Sequence, residues 1–487
     1  MGIRYLTKFV DRGLVRRKRE RVQGTLVVDG NCILHSLHTM EWSNGGQYRE
    51  FRNAVCRFYS NLLESGITPI VVFDGVDETQ KIDILLGRKK ERLITIDRNI
   101  TRNASRQAVC KGHILPPLTS EVYRMALYDL EIQFYVADGE ADVVIARLAN
   151  HYHCPVPSLD SDFFVFCLVG GFIHFKYFDW ESYPATAVFY HRDWFAGQLC
   201  FRDTSLICMI PALVGNDFME PCHPYFLKLM VCSVKSPRVR KVCCHLSKFN
   251  SVKSFIEESF GGKTLEPKCL KAQQWYEGSQ DLSCEELVLS TDLRHHNGSE
   301  FPKWLVRLFH LGHIPSSAMG AAVSCKAIFR VVADNFKKDS SVLAAKPIQE
   351  RMYALLEVQT VVEVVRSGLT LAKLKANTKE REYRAVTATS VSFLSHQERQ
   401  SLFYEILECS KQNINLKLSG SYQDWRFVAA TVRVWARTTC PPTYLVRSLL
   451  LSFTLCSCLP DESFRRLKVP LWFRQSQEWL DTLHWFC

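Results

Sequence analysis

The sequence predicts an α/β fold, with a central, mostly parallel sheet and helices on both faces, followed by a largely helical C-terminal region. The first half alternates short β-branched runs with amphipathic helical spacing, which is typical of parallel strands joined by helices. The second half shows helical spacing and a helix-capping pattern, without a repeat, a phosphate loop or an acidic cluster. These patterns predict three regions, 1–115, 116–235 and 236–487.

Three strands are predicted near the start of the chain, and a fourth apolar run follows them. The three strand sequences are "GTLVVDG" (24–30), "TPIVVFDG" (68–75) and "IQFYVAD" (132–138). Helical spacing separates them, at Phe51, Val55, Phe58 and Leu62 and in "GEADVVIARLANHY" from Gly139. The fourth run, "PSLDSDFFVF" (157–166), predicts a buried strand that Asp160 and Asp162 interrupt. Because ionised carboxylates are costly in apolar surroundings, these two acids need a positive partner.

Two helices with defined beginnings are predicted in the second half. The stretch "PIQERMYALLEVQTVVEVV" opens with Pro347, which suits the first turn of a helix. The stretch "SHQERQSLFYEIL" opens with a capping box between Ser395 and Glu398. For region 236–487 the sequence therefore predicts architecture and no defined role.

The composition is that of an ordinary globular protein. Its 487 residues, 47% of them hydrophobic, are enough for two or three cores. No apolar run reaches the length of about 18 residues that a membrane span needs, and no signal peptide opens the chain. We therefore expect an intracellular protein that is neither secreted nor bound to a membrane. The 19 cysteines contain no C-x-x-C pair, so reduced thiols are expected rather than disulfides or a zinc site.

Basic residues are concentrated in one segment. The chain has 61 basic and 50 acidic residues, which gives a net charge of +11. Between Lys81 and Lys111, nine residues are basic and three are acidic. This segment is either the solvated face of a helix or a surface for a polyanion, and the residues alone leave both open.

Seven acidic residues follow predicted strands, open a predicted helix or follow an apolar segment: Asp29, Asp74, Glu140, Asp142, Asp160, Asp162 and Asp217. Each has an ordinary alternative, because acidic residues often cap helices and occupy turns. However, the carboxyl ends of parallel strands meet at one edge of a sheet, where α/β proteins bind ligands. Carboxylates gathered there repel one another unless divalent cations lie between them, and oxygen ligands suit Mg²⁺ or Mn²⁺. Two such ions together can promote phosphodiester cleavage, so we predict a two-ion site.

The motifs "MGIRYL", "VVDG", "VFDG", "GEAD", "SLDSD" and "GND", in this order and spacing, resemble those of the flap endonuclease and XPG-type nucleases. Within that superfamily the chain is most similar to the asteroid homologues. The resemblance covers residues 1–220 and implies a PIN-like 5′-nuclease core over 1–235. It also implies a two-metal site of the seven carboxylates, with Asp142 in place of a glutamate.

The same resemblance implies several contacts with DNA. A helical arch is expected at about 79–112, in which Lys81 and Arg88 approach the scissile phosphate. The other candidate DNA-contacting residues are Gly2, Arg4, His35, Lys89, Lys90 and Arg92. His35 stands where the family has a tyrosine that stacks on a base. After Asp217 the sequence "FMEPCHPYFLKLM" lacks the Gly-x-Gly turn through which the family holds duplex DNA with K⁺.

We therefore predict a metal-dependent, structure-selective DNA endonuclease that favours single-stranded, overhang or flap DNA and acts in DNA repair. The alternative is a catalytically weak nucleic-acid-binding or scaffold protein that retains the fold, and an RNA-directed nuclease is a third class. A nuclear or otherwise cytoplasmic location is expected, with a protein partner bound through the C-terminal region. The basic run "RRKRER" from Arg16 is either a nuclear localisation signal or a solvated or DNA-facing loop.

Overall fold

The computed structural model describes residues 2–3, 5–14, 18–39, 47–78, 81–104, 115–216, 238–260, 266–277, 282–330, 336–378, 387–407, 425–447 and 449. Its strands are β1 Glu20–Arg21, β2 Gly24–Asp29, β3 Ile67–Phe73, β4 Gln133–Val136, β5 Val156–Ser158, β6 Phe172–Asp179, β7 Thr186–Tyr190, β8 Lys326–Ile328, β9 Thr360–Ser367 and β10 Thr370–Asn377.

The first group of helices is α1 Leu6–Leu14, α2 Gly30–Leu37, α3 Tyr48–Glu64, α4 Ile82–Ala104, α5 Thr119–Asp129, α6 Ala141–His151, α7 Arg192–Gln198 and α8 Met209–Val214. The second group is α9 Arg238–Leu246, α10 Val252–Phe260, α11 Glu266–Glu277, α12 Cys284–Leu289, α13 Lys303–His310, α14 Ser316–Ser324, α15 Lys346–Leu355, α16 Ala388–Val391, α17 His396–Ile406 and α18 Trp425–Thr439. Turns of 3₁₀ helix cover Ser161–Phe164, Thr204–Cys208 and Ser341–Ala345.

A mixed sheet forms the centre of the first half. Strands β2, β3 and β4 pair in parallel, in that order. Strand β5 pairs in parallel with β6, whereas β7 pairs antiparallel with both β6 and β1. A backbone hydrogen bond of 3.3 Å, from the Val27 N–H to the Pro155 carbonyl, joins the two groups of strands. The predicted α/β fold is confirmed, and the sheet also has an antiparallel edge.

Both faces of this sheet are apolar and covered by helices. In β2, Leu26 and Val28 lie in the hydrophobic cluster that contains Phe58 of α3. Val27, between them, lies in the cluster that contains Ile145 of α6. Because successive side chains of a strand point to opposite faces, one strand contributes to both cores.

The fourth apolar run forms a strand only over its first part. Strand β5 ends at Ser158, and the Asp160 side chain then caps a 3₁₀ turn by accepting a hydrogen bond from the Asp162 N–H. Phe163 and Phe164 are buried within that turn. The two aspartates therefore end the strand, as predicted, because the Asp160 side chain offers the backbone a local partner in place of a strand partner.

The second half is largely helical, as predicted, but it also contains a small sheet in the order β10-β9-β8. The helix predicted from Pro347 ends at Leu355, and "TVVEVVRS" forms β9 instead. Threonine and valine side chains fit a pleated strand better than a helix, which explains this correction. The capping box at the start of α17 is confirmed, with Ser395 and Glu398 joined by hydrogen bonds of 2.7 and 3.3 Å.

Both cores contain residues from each side of residue 235. Tyr276 of α11 lies in the cluster of Ile145, and Phe309 of α13 lies in the cluster of Phe58. The division into regions 1–115, 116–235 and 236–487 stays a prediction. In the described part of the chain, no helix has the length and hydropathy needed to cross a membrane.

Candidate active site

Strand ends place four acidic residues at one edge of the sheet. Asp29 is the last residue of β2, and Asp74 directly follows β3. Asp160 and Asp162 follow the end of β5. The predicted convergence of these strand ends is therefore present in the fold.

The N-terminus of α6 contributes two further acids, with Glu140 as its N-cap and Asp142 in its first turn. The negative charges of Asp29, Asp74, Asp160 and Asp162 act on Asp142, and that of Glu140 acts on Asp74. Six residues together form the carboxylate cluster: Asp29, Asp74, Glu140, Asp142, Asp160 and Asp162. The seventh predicted ligand, Asp217, lies outside the described residues, as does Arg4.

Asp29 is held by hydrogen bonds to both of its carboxylate oxygens. Oδ1 accepts from the Cys32 N–H at 2.9 Å, which caps α2, and Oδ2 accepts from the Ser158 hydroxyl at 2.6 Å. The same hydroxyl accepts the Asp160 N–H at 3.0 Å. Ser158, which the sequence did not single out, thereby links Asp29 to the next acid.

Asp74 is held between a side chain and the start of a helix. The Asn31 side-chain amide donates to Oδ2, and the Ala141 N–H donates to Oδ1 at 2.9 Å. Ala141 is the first residue of α6, whose N-terminus carries partial positive charge. Both contacts stabilise the ionised form of Asp74.

Glu140 forms an ion pair with a predicted catalytic residue. The Lys81 Nζ lies 2.8 Å from Glu140 Oε1, and the two side chains are 14% and 27% exposed. Lys81 immediately precedes α4. In this structure the lysine predicted to approach a phosphate is therefore a counter-ion of the carboxylate cluster.

Gly2 lies directly against the cluster. Its φ is +80°, in the region that favours glycine. A Cβ added there would overlap Asp160 Oδ1 and the Ser161 hydroxyl. A glycine is thus required by the packing, while its contact with DNA stays a prediction.

Asp162 is buried, at 2% exposed, and is contacted by Asn216 of the "GND" motif and by Tyr276, which the sequence did not single out. The Tyr276 hydroxyl lies 3.1 Å from Asp162 Oδ2, and the Asn216 amide donates to the Tyr276 hydroxyl at 2.8 Å. No local signal marks the first contact, because Asp162 and Tyr276 are 114 positions apart.

Crowding changes the acidity of the cluster. Burial raises the pKa of Asp29 to about 6, although hydrogen bonds from Ser158 and Cys32 oppose it. Burial, then the charge of Glu140, raises the pKa of Asp74 to about 7. Burial and the charges of Asp160 and Asp29 hold the pKa of Asp142 well above its usual range. A cation placed among these groups would relieve their mutual repulsion.

The donor set suits a hard divalent cation, because it consists of carboxylate oxygens only. Among the described residues, however, no three His, Cys, Asp or Glu side chains are already arranged around one ion position. Hydrogen bonds occupy the oxygens of Asp29 and Asp74, and Lys81 occupies Glu140. Ion binding would therefore require some of these side chains to turn.

Helix α4 lies within the predicted arch at 79–112, of which 79–80 and 105–112 are outside the described residues. Lys90 and Arg92 of α4 are exposed, as is Arg330 just after β8. Although the Arg92 side chain as a whole is exposed, partial burial of its guanidinium group, then the neighbouring charges of Arg88 and Arg330, lowers its pKa. Positive charges brought this close together favour the binding of a polyanion. The sequence did not single out Arg330, because it lies more than 200 residues after α4 in the chain.

Lys89 differs from its neighbours on α4. It is 7% exposed, and its ammonium group donates to the Phe329 carbonyl at 2.9 Å. This placement contradicts the predicted contact of Lys89 with DNA in this conformation, because the ammonium group is turned into the protein. The helix periodicity did not show which basic side chains face inward.

His35 lies in the last turn of α2 and is partly exposed. Helix α2 begins at the capping residue Asp29, so His35 is six residues from a member of the carboxylate cluster. Base stacking by His35 stays a prediction.

Comparison with curated proteins finds several relatives. The chain is 27% identical to "Single-strand DNA endonuclease ASTE1" of Mus musculus over 391 residues, which are 73% of this chain and 56% of that protein. It is 33% identical to "Protein asteroid" of Drosophila melanogaster over 171 residues, 34% of this chain and 19% of that protein. The predicted resemblance to the asteroid homologues is confirmed. The chain spans about half the length of the mouse asteroid homologue that it matches.

Among solved structures, the catalytic core of Rad2 in complex with DNA substrate is 17% identical, with a TM-score of 0.36. The alignment covers 64% of this chain and 96% of that one. No protein-family model matches the chain. The placement with the asteroid homologues therefore rests on the sequence relatives, and the α/β architecture on the strand order itself.

Proposed function

We propose that the protein is a metal-dependent endonuclease that cleaves phosphodiester bonds in single-stranded, overhang or flap DNA. The observation that carries the proposal is the carboxylate cluster, which three strand ends and the start of α6 assemble next to Lys81. Six acids at one edge would hinder the binding of phosphates in the absence of a cation. Their retention is difficult to explain by nucleic-acid binding alone.

Two Mg²⁺ or Mn²⁺ ions would supply an activated water and neutralise the reacting phosphate. The chain's own part is to hold these ions with its carboxylates, Asp217 included as a seventh ligand. Asp74 and Asp29 are pre-oriented by hydrogen bonds from Ala141 and Ser158. Lys81 and Arg88 would neutralise the charge that grows on the phosphate in the transition state.

DNA as the substrate is supported by the mouse relative, which is named a single-strand DNA endonuclease. It is also supported by the exposed cations of α4 together with Arg330. Because the Gly-x-Gly turn is missing after Asp217, we expect a preference for single strands and overhangs, and no dependence on K⁺ beyond ionic strength.

A cleavage assay on single-stranded, overhang, 5′-flap, 3′-flap and duplex DNA, with Mg²⁺, Mn²⁺ or EDTA, tests the proposal. Metal-dependent cuts in single strands or overhangs, at rates equal to or above those of a double-flap junction, are expected. Equal binding with and without metal, and no cleavage of any substrate, would instead identify a nucleic-acid-binding or scaffold protein. A parallel set of RNA substrates separates a DNA nuclease from an RNA nuclease.

The proposal extends to DNA repair in the nucleus and to a protein partner of the C-terminal region. The basic run from Arg16 supports a nuclear location. A fluorescent fusion should accumulate in the nucleus and should lose this accumulation when Arg16, Arg17 and Lys18 are changed to alanine. A wild-type fusion that stays in the cytoplasm would contradict this part.

A further inference from the structure

We infer that helix α11 of the second half completes the active site, with Tyr276 as the positioning residue of Asp162. The Tyr276 hydroxyl lies 3.1 Å from Asp162 Oδ2, and both residues are buried. This inference rests on the proposed function, because it gives Asp162 the role of a metal ligand.

The direction of the hydrogen bonds fixes what Tyr276 does. The Asn216 amide nitrogen can only donate, and it lies 2.8 Å from the Tyr276 oxygen. That oxygen is therefore the acceptor, and its own hydrogen is directed to Asp162 Oδ2. Asn216 Nδ2 lies 3.4 Å from the same carboxylate oxygen. Tyr276 and Asn216 thus both donate to Asp162 Oδ2, whereas Asp162 Oδ1 faces Gly2.

The end of α11 is anchored so that the phenol cannot easily turn away. Glu277 forms an ion pair with Arg192 and accepts a hydrogen bond from Gln273 at 3.1 Å. The Cys167 N–H donates to the Tyr276 carbonyl at 3.3 Å. The Tyr276 ring packs edge-on against Phe166, with ring centroids 4.9 Å apart. The contacts of Cys167 and Phe166 join α11 to the segment that follows Asp162.

Outer hydrogen-bond partners of metal ligands typically change metal affinity by about 10- to 100-fold when they are removed. Tyr276→Phe removes the hydroxyl and keeps the ring in its packing site. Tyr190→Phe is the matched control, because Tyr190 is equally buried and its hydroxyl donates to the Phe164 carbonyl at 2.9 Å. The control removes a buried tyrosine hydrogen bond in the same core without touching an acid.

The experiment is a calorimetric titration of the full chain with Mn²⁺ in the absence of DNA. We expect Tyr276→Phe to weaken Mn²⁺ binding by about 10- to 100-fold, and Tyr190→Phe to bind Mn²⁺ as the wild type does. Single-turnover cleavage by Tyr276→Phe should also recover toward the wild-type rate as the Mn²⁺ concentration is raised, which a purely structural role would not produce.

Equal Mn²⁺ affinity for all three proteins would overturn the inference alone. No Mn²⁺ uptake by the wild type would overturn the proposed function and the inference with it. Should Tyr276→Phe fail to fold, Asn216→Ala serves instead, since it removes the group that orients the phenol. A loss of about tenfold in affinity is then expected, and wild-type affinity would overturn the inference.

Discussion

The carboxylate cluster and the basic helix α4 are positioned by different means. The acids sit at strand ends and at the start of α6, where strand pairing and helix hydrogen bonds fix the position of the backbone. The cations sit on one helix, where a rotation of 100° per residue decides which side chain faces outward. Lys89 is buried and Lys90 is exposed, although they are adjacent. Sheet topology therefore locates chemistry more strictly than helical position does.

The largest effect is expected from the cluster itself. The double variant Asp160→Ala, Asp162→Ala should lose cleavage by a factor of about 10³ or more, because metal-held charge stabilisation is worth several kcal/mol. The double variant should still fold. Loss of the Asp160 cap costs about 1 kcal/mol of stability, and the reduced repulsion among the remaining carboxylates offsets this cost. Cleavage rates and thermal unfolding measure both outcomes.

Asp203→Ala is the control for that variant, since Asp203 also caps a 3₁₀ turn, by accepting the Ser205 N–H at 2.9 Å. It should retain wild-type cleavage. Wild-type turnover by the folded double variant would exclude the two-metal site.

The next largest effects should distinguish the basic residues that act on the cleavage rate from those that act on DNA binding. Lys81→Ala and Arg88→Ala should each lower the single-turnover rate by about 10²- to 10³-fold, because they act on transition-state charge. Lys90→Ala, Arg92→Ala and Arg330→Ala should instead weaken binding and reduce its salt slope by about 0.7 each. Equal losses of binding for all five variants would show that Lys81 and Arg88 have no special role.

Lys89 is expected to affect stability rather than DNA binding. Burial lowers the pKa of its ammonium group to about 8, opposed by Asp77 and reinforced by Arg92 and Arg330. Between pH 8 and about 10.5 the unfolded chain binds the extra proton, so the stability of the wild type rises with pH in this window.

Lys89→Met lacks this titrating group and should not show the rise. Between pH 8 and about 10.5 the unfolding free energy of the wild type should therefore rise by about 3 kcal/mol at most relative to that of Lys89→Met. Urea unfolding at several pH values measures both. Lys90→Met, on the exposed neighbour, should show no such difference from the wild type. If the Lys89 substitution instead reduced the salt slope of DNA binding and left stability unchanged, Lys89 would be a DNA-contacting residue.

The smallest effect is expected at His35. A histidine stacks on a base with less area than a tyrosine, so His35→Ala should weaken single-strand binding by only about fivefold, and His35→Tyr should strengthen it. His151→Ala, at an exposed histidine of α6, is the control for the loss of an imidazole. Fluorescence anisotropy with a labelled oligonucleotide measures these affinities, and an unchanged affinity in both His35 variants would exclude stacking there.

The sequence by itself predicted the strands β2, β3 and β4 and seven acids, six of which the described residues place at strand ends and at the start of α6. Hydrophobic periodicity and the following Asp-Gly pairs are local signals, and parallel pairing brings strand ends together whatever the remaining packing is. The relation to the asteroid homologues followed from the same motifs.

Only the tertiary structure decided what surrounds these acids. The contact of Tyr276 with Asp162, the pairing of Lys81 with Glu140 and the burial of Lys89 all join residues that are far apart in the chain. Strand β9 likewise required its partners, because it begins at Thr360, only five residues after the end of helix α15 at Leu355. Local patterns report what a segment prefers, whereas hydrogen-bond partners and the inward face of a helix are chosen by the free energy of packing the whole chain.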